Sequence, residues 1–138
     1  MSSTATTPPQ ELVMQDIEMW NTGETEAVDD IFAADSSYID PMGERHDRES
    51  YAEYIDAIRA AFPDFHVEVQ EFVETDDGVA CRYTFSGTME GTYRGFEPTG
   101  ESFELHGVAW YHIEDETILE AWNATNSMAI AQQVGALG

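Results

Sequence analysis

FHVEVQEFVETDDGVACRYTFSG, residues 65–87, decides how this chain folds. Apolar and polar residues alternate along "FHVEVQEFVE", "TDDG" supplies a turn, and the alternation resumes through "VACRYTFSG". A period of two places successive side chains on opposite faces of a strand, so the stretch predicts an antiparallel hairpin. Residues 87–100, "GTMEGTYRGFEPTG", hold four glycines and a proline and predict a long connection with irregular turns. "ESFELHGVAWYHIED" (101–115) is a further strand, "EDET" a turn, "ILEAWNATN" (118–126) the last strand, and "SMAIAQQVG" (127–135) a short helical tail.

Upstream of Pro63 the period is helical. Thr7-Pro8-Pro9-Gln10 reads as a capped helix start, Val13, Ile17 and Trp20 share a face, and Asn21-Thr22-Gly23 ends the segment. A second helix is expected from about Glu24 to Ala33, with Ala27, Val28, Ile31 and Phe32 apolar. Asp47 caps a third, in which Tyr51, Tyr54, Ile55, Ile58 and Phe62 recur until Pro63 stops it. Helices followed by a meandering antiparallel sheet make an α+β domain, and a strongly curved sheet over three N-terminal helices would enclose a pocket. Residues 1–138 form one domain, with 1–7 expected to be disordered.

Composition narrows the function classes. The chain carries 28 Asp+Glu against 5 Lys+Arg, a formal net charge of −23, and every cation is an arginine. With 42% hydrophobic residues in regular patterns the chain folds, and its acids cover the surface. Such a surface suits a cytoplasm of high salt, where screening removes the self-repulsion. Nucleic acid and anionic membranes are poor partners for it. Cys81 is the single cysteine, so there is no intrachain disulfide and no thiolate metal cluster. "MSSTATTPPQ" lacks a basic and an apolar segment, and no apolar run spans a bilayer, so a cytoplasmic protein is expected.

"AAFPDFHVEV", "CRYTFSGTMEGTYRGFEPTG" and "ILEAW" resemble SnoaL-like polyketide (ester) cyclases, in the cone-shaped superfamily of ketosteroid isomerase and nuclear transport factor two. The resemblance covers roughly residues 10–135 and rests most on the Gly-Thr…Gly…Gly…Pro-Thr-Gly spacing. It implies helices closing one side of a cone, an apolar pocket on the inner sheet face, and an outer face that pairs two subunits into a homodimer. "IFAADSSYIDPMG" also resembles the ketosteroid isomerase segment that carries a catalytic aspartate before a proline, matched here by Asp40. That enzyme's two oxyanion donors fall at Asp16 and Ala109, so its oxyanion hole is absent. The last-strand acid–base aspartate of the cyclases falls at Asn123, whose amide does not titrate.

The expected function is a cyclase- or isomerase-type enzyme acting by acid–base chemistry on a small apolar carbonyl compound, with no cofactor and no metal. Asp40 would be the base, because a carboxylate in an apolar site is made more basic by desolvation. Its plain alternative is an Asx-turn or solvated acid. Asn123 would orient the substrate, or else satisfy core backbone groups. His46 would stand at the pocket mouth, or in an ordinary loop. Arg82 would be a buried cation facing Asp40 or Asp16, or an outer-face residue paired with surface acids. Asp16, Trp20 and Tyr54 complete the expected substrate-binding set, the aromatic pair being equally suited to plain core. His66, His106 and His112 lack metal-ligand spacing. The competing readings are a non-catalytic small-molecule-binding module of the same fold and a dimeric scaffold whose side chains fill the pocket.

Overall fold

A computed structural model describes residues 8–136. The expected Thr7 cap and the expected disorder of residues 1–7 lie outside that range. Helix α1 (Pro9–Thr22) opens with Pro9 at its first position and no side-chain cap, and stops at Gly23, whose φ of +80° suits a residue without a Cβ. The second helix is shorter than its apolar spacing predicts. A 3-10 turn (Thr25–Ala27) leads into a single turn, α2 (Val28–Ile31), and Phe32 is already extended. Phe32 opens β1 (Phe32–Ile39), because its backbone pairs with the last strand and the ladder outweighs a marginal local preference for helix.

A two-residue strand, β2 (Arg45–His46), returns along β1, and Asp47 caps α3 (Arg48–Ala61) by accepting from the Ser50 N–H. The four expected strands follow as β3 (His66–Glu74), β4 (Gly78–Thr88), β5 (Ser102–Glu114) and β6 (Thr117–Ala124), and α4 (Ser127–Gln133) ends the described chain. Strands β3 to β6 form the predicted antiparallel meander. The sheet is nevertheless mixed, in the order β2-β1-β6-β5-β4-β3, since β1 lies parallel to β6. Register shifts at Val69/Glu71, His112/Ile113 and Phe32/Ser37 mark irregularities that bend the sheet.

The inner face of this curved α+β sheet packs on α1 and α3. Val79, Cys81, Tyr83 and Phe85 of β4, and Ala109 and Tyr111 of β5, are buried there. The β4–β5 connection crosses the end of α3, where the amides of Glu90 and Gly91 both reach the Ala61 carbonyl. A Cβ at Gly91 would lie 2.4 Å from the Ala60 carbonyl oxygen, so glycine is required for that crossing.

Candidate functional site

Helical spacing on α1 puts Asp16 in the same buried stripe as Val13, Ile17 and Trp20, one turn below the tryptophan. Its carboxylate is 1% exposed and meets tyrosines from two other elements. Tyr51 of α3 donates to Oδ1 at 2.6 Å and Tyr111 of β5 donates to Oδ2 at 2.7 Å. Trp20 Nε1 in turn donates to the Tyr51 hydroxyl at 2.9 Å. Burial raises the Asp16 pKa to about 6, against the lowering effect of the two tyrosine hydrogen bonds. The same burial, with the Asp16 charge beside them, raises the Tyr51 and Tyr111 hydroxyls well above the usual phenol range.

A second polar group faces Asp16 across the interior. Asn123 of β6 accepts from the Tyr83 hydroxyl and donates through Nδ2 to the Tyr38 hydroxyl at 3.1 Å. The two groups are joined by packing, with the Tyr38 and Tyr51 ring centroids 4.2 Å apart. Between them lies a cavity of about 60 Å³. All six tyrosines of the chain line it, together with Asp16, Trp20, Ala109 and Asn123. An apolar cavity of roughly 150 Å³ is enough to hold a benzene ring. At well under half that volume this space does not enclose an aromatic ring, so a ligand of that size would enter it only in part and extend past lining residues such as Pro41, Thr125 and Ser127.

Of the residues singled out from sequence, Asp16, Trp20, Tyr54 and Asn123 line this cavity. Asp40, His46 and Arg82 are not among its lining residues, and for Asp40 and Arg82 the structure takes the alternative placement that the sequence had left open. Asp40 is buried, but its Oδ1 accepts from the backbone amides of Met42 and Glu44 and its Oδ2 meets His46. This is the Asx-turn reading: Pro41 fixes a tight turn, and the carboxylate serves that turn's backbone donors. Arg82 stands on the outer face, half exposed, with Nε 3.5 Å from Glu71. Its strand neighbours Cys81, Tyr83 and Phe85 are uniformly apolar or aromatic, and this was the signal that the other face of β4 points inward.

The structure adds Tyr38, Tyr51, Tyr83, Tyr93 and Tyr111 to the site. Their convergence has no sequence motif, because they come from three strands, a helix and a loop. Among the described residues the metal-capable grouping is Asp40, Glu44 and His46, whose ligand atoms lie within 4.8 Å of one another. Asp40's oxygens there already accept from two amides and face the imidazole.

The profile of the SnoaL-like polyketide cyclases matches residues 11–134. No curated protein matches the chain by sequence. Among solved structures, IdmH from Streptomyces antibioticus, provisionally assigned as a polyketide cyclase, is 28% identical, with 92% of this chain and 98% of that one covered and a TM-score of 0.81. A provisionally assigned polyketide cyclase from Acidithiobacillus ferrooxidans is 26% identical over the whole of both chains, with a TM-score of 0.79. AclR from Streptomyces galilaeus, provisionally assigned as a hydroxylase, shares the fold at 21% identity and a TM-score of 0.82, over 95% of this chain and 83% of that one.

Proposed function

The chain belongs to the SnoaL-like polyketide cyclase family, and from that premise we propose that it is a cyclase- or isomerase-type enzyme acting on a small carbonyl compound, with Asp16 as its acid–base group. The single observation that carries this reading is a carboxyl on the cavity wall whose pKa is about 6, so that both protonation states are populated near neutral pH. Asp40, the expected base, is held away from the cavity by its own turn.

The hydrogen-bond directions suit enolisation. Tyr38 accepts from Asn123 Nδ2, which leaves the Tyr38 hydroxyl proton for a substrate carbonyl oxygen. In its ionised form Asp16 draws the Tyr51 and Tyr111 hydroxyls to itself and keeps free lone pairs for a proton taken from the carbon beside that carbonyl. Once protonated, it can return that proton to a different carbon, which is isomerisation, or to the oxygen formed when the enolate attacks a second carbonyl, which is cyclisation. In this scheme Asn123 is a positioning residue that aims Tyr38 and Tyr83.

The test is proton exchange in D2O. Small aliphatic ketones and β-keto methyl esters should exchange the hydrogens beside their carbonyl faster with the protein than without it. Asp16→Asn should lower the enzymic part of that rate by on the order of 10²–10⁴-fold. A non-catalytic binding module of the same fold is the second reading. It is favoured by the absence, among the described residues, of any buried side-chain polar atom lacking a partner: the cavity's polar groups already satisfy one another. Saturable binding of these compounds without exchange would select it.

A further inference from the structure

Between the 40–46 turn and the first turn of α3, three side chains that do not line the cavity form a hydrogen-bonded row. Ser50 Oγ lies 2.6 Å from His46 Nδ1, and His46 Nε2 lies 2.8 Å from Asp40 Oδ2. The remaining Asp40 oxygen accepts from the Met42 amide at 2.8 Å and the Glu44 amide at 3.0 Å, so its orientation is fixed by backbone. The imidazole packs at a tilt against two tyrosine rings, with Tyr54 and Tyr38 centroids 5.1 and 5.9 Å away. A carboxylate only accepts, so Nε2 of the neutral ring carries the proton that faces Asp40. Nδ1 is then bare, and the Ser50 hydroxyl donates to it.

We propose that Ser50, His46 and Asp40 form a second reactive site, in which Ser50 is a nucleophile toward small acyl esters, His46 its general base, and Asp40 the positioning residue that fixes the ring. The arrangement meets the geometric requirements of such a row: nucleophile to base, and base to an acid held by buried donors, each within hydrogen-bond reach. Side-chain exposure falls along the row, from half-buried Ser50 through His46 at 11% to Asp40 at 3%.

In the first step the Ser50 Oγ–C bond forms as the hydroxyl proton moves to His46 Nδ1. The tetrahedral intermediate expels the alcohol, which takes that proton from His46. Water then attacks the acyl-serine by the same route, releasing the acid and restoring Ser50. The net change is ester plus water to acid plus alcohol, with no redox partner.

Diisopropyl fluorophosphate and p-nitrophenyl acetate are the probes. The folded protein should take one diisopropylphosphoryl group on the peptide carrying Ser50, and should release a burst of about one equivalent of nitrophenolate. Ser50→Ala should abolish both; it keeps the Ser50 amide that the Asp47 cap binds, so the helix start is preserved. His46→Gln should slow the labelling of Ser50 on the order of 10²-fold or more. Asp40's part is read from ring ¹⁵N shifts, which should report protonated Nε2 and bare Nδ1 in the native protein and a mixture of tautomers in Asp40→Asn. An unlabelled Ser50 in the folded protein, or equal nitrophenolate release from native and Ser50→Ala proteins, would overturn the proposal and leave the row as a brace for the helix start.

Discussion

Asp16 makes the stability of the fold depend on pH in a direction opposite to that of an ordinary surface acid. Its folded-state pKa is about 6 against 3.8 for an ordinary aspartate, so between those values the folded state binds more proton than the unfolded one. Stability therefore falls as pH rises from about 4 to 6, and the cost is fully present above 6. A difference of this size corresponds to roughly 3 kcal/mol. Asp16→Asn, whose amide keeps the shape without the charge, should remove that loss. The difference in urea unfolding free energy between native protein and variant should change by a few kcal/mol between pH 4.5 and 7.5 at fixed salt; equal pH profiles would contradict the buried titration. Tyr111→Phe deletes one donor to the same carboxylate, so the Asp16 carboxyl should titrate higher still by carbon NMR.

The elements that frame the cavity meet at a few close approaches. On β5 a Cβ at Gly107 would lie 2.4 Å from the Tyr83 hydroxyl oxygen. Gly107→Ala should therefore push Tyr83 off Asn123, and the change is expected in the Asn123 side-chain amide resonances and in reduced ligand affinity rather than in loss of fold. At the start of α3 the cap is a single side chain, Asp47, which accepts from Ser50 N. Asp47→Ala should cost about 1 kcal/mol in thermal or urea unfolding. α3 carries Tyr51 and Tyr54 into the cavity, so this loss reaches the site through the helix register.

At the scale of the whole molecule, charge and the outer sheet face lead to two further expectations. With a formal net charge of −23, self-repulsion opposes the compact state unless salt screens it. The thermal midpoint should rise steadily from millimolar to molar potassium chloride, and a midpoint independent of salt would contradict a high-salt adaptation. Across the outer face, Val73, Ala80, Trp110 and Trp122 stand in register on four successive strands, with Val73, Val108 and Trp122 each about half exposed. We propose that this apolar row pairs two copies of the chain about a two-fold axis. Light scattering in molar salt should give a dimer, and Trp122→Glu should give a monomer; a native monomer at micromolar concentration would contradict the pairing. Among the described residues no helix is long and apolar enough to cross a membrane.

The sequence by itself determined the fold class, the antiparallel meander, the Gly23 stop of α1 and the Asp47 cap and stop of α3, because periodicity, proline, glycine and cap residues act over a few neighbouring positions. It also marked Asp16, Trp20, Tyr54 and Asn123 as site candidates, through helical and strand spacing combined with the family resemblance. It misplaced Asp40 because a proline-bounded aspartate reads alike whether its carboxylate faces a cavity or closes its own turn. Arg82 stayed open between two faces until the burial of Cys81, Tyr83 and Phe85 fixed which one is inner. Only the tertiary structure decided that β1 runs parallel to β6, that Phe32 leaves its helix, and that six tyrosines converge beside Asp16. Each of these depends on pairing or desolvation between residues tens of positions apart, and no local pattern encodes the free energy of contacts made at that range.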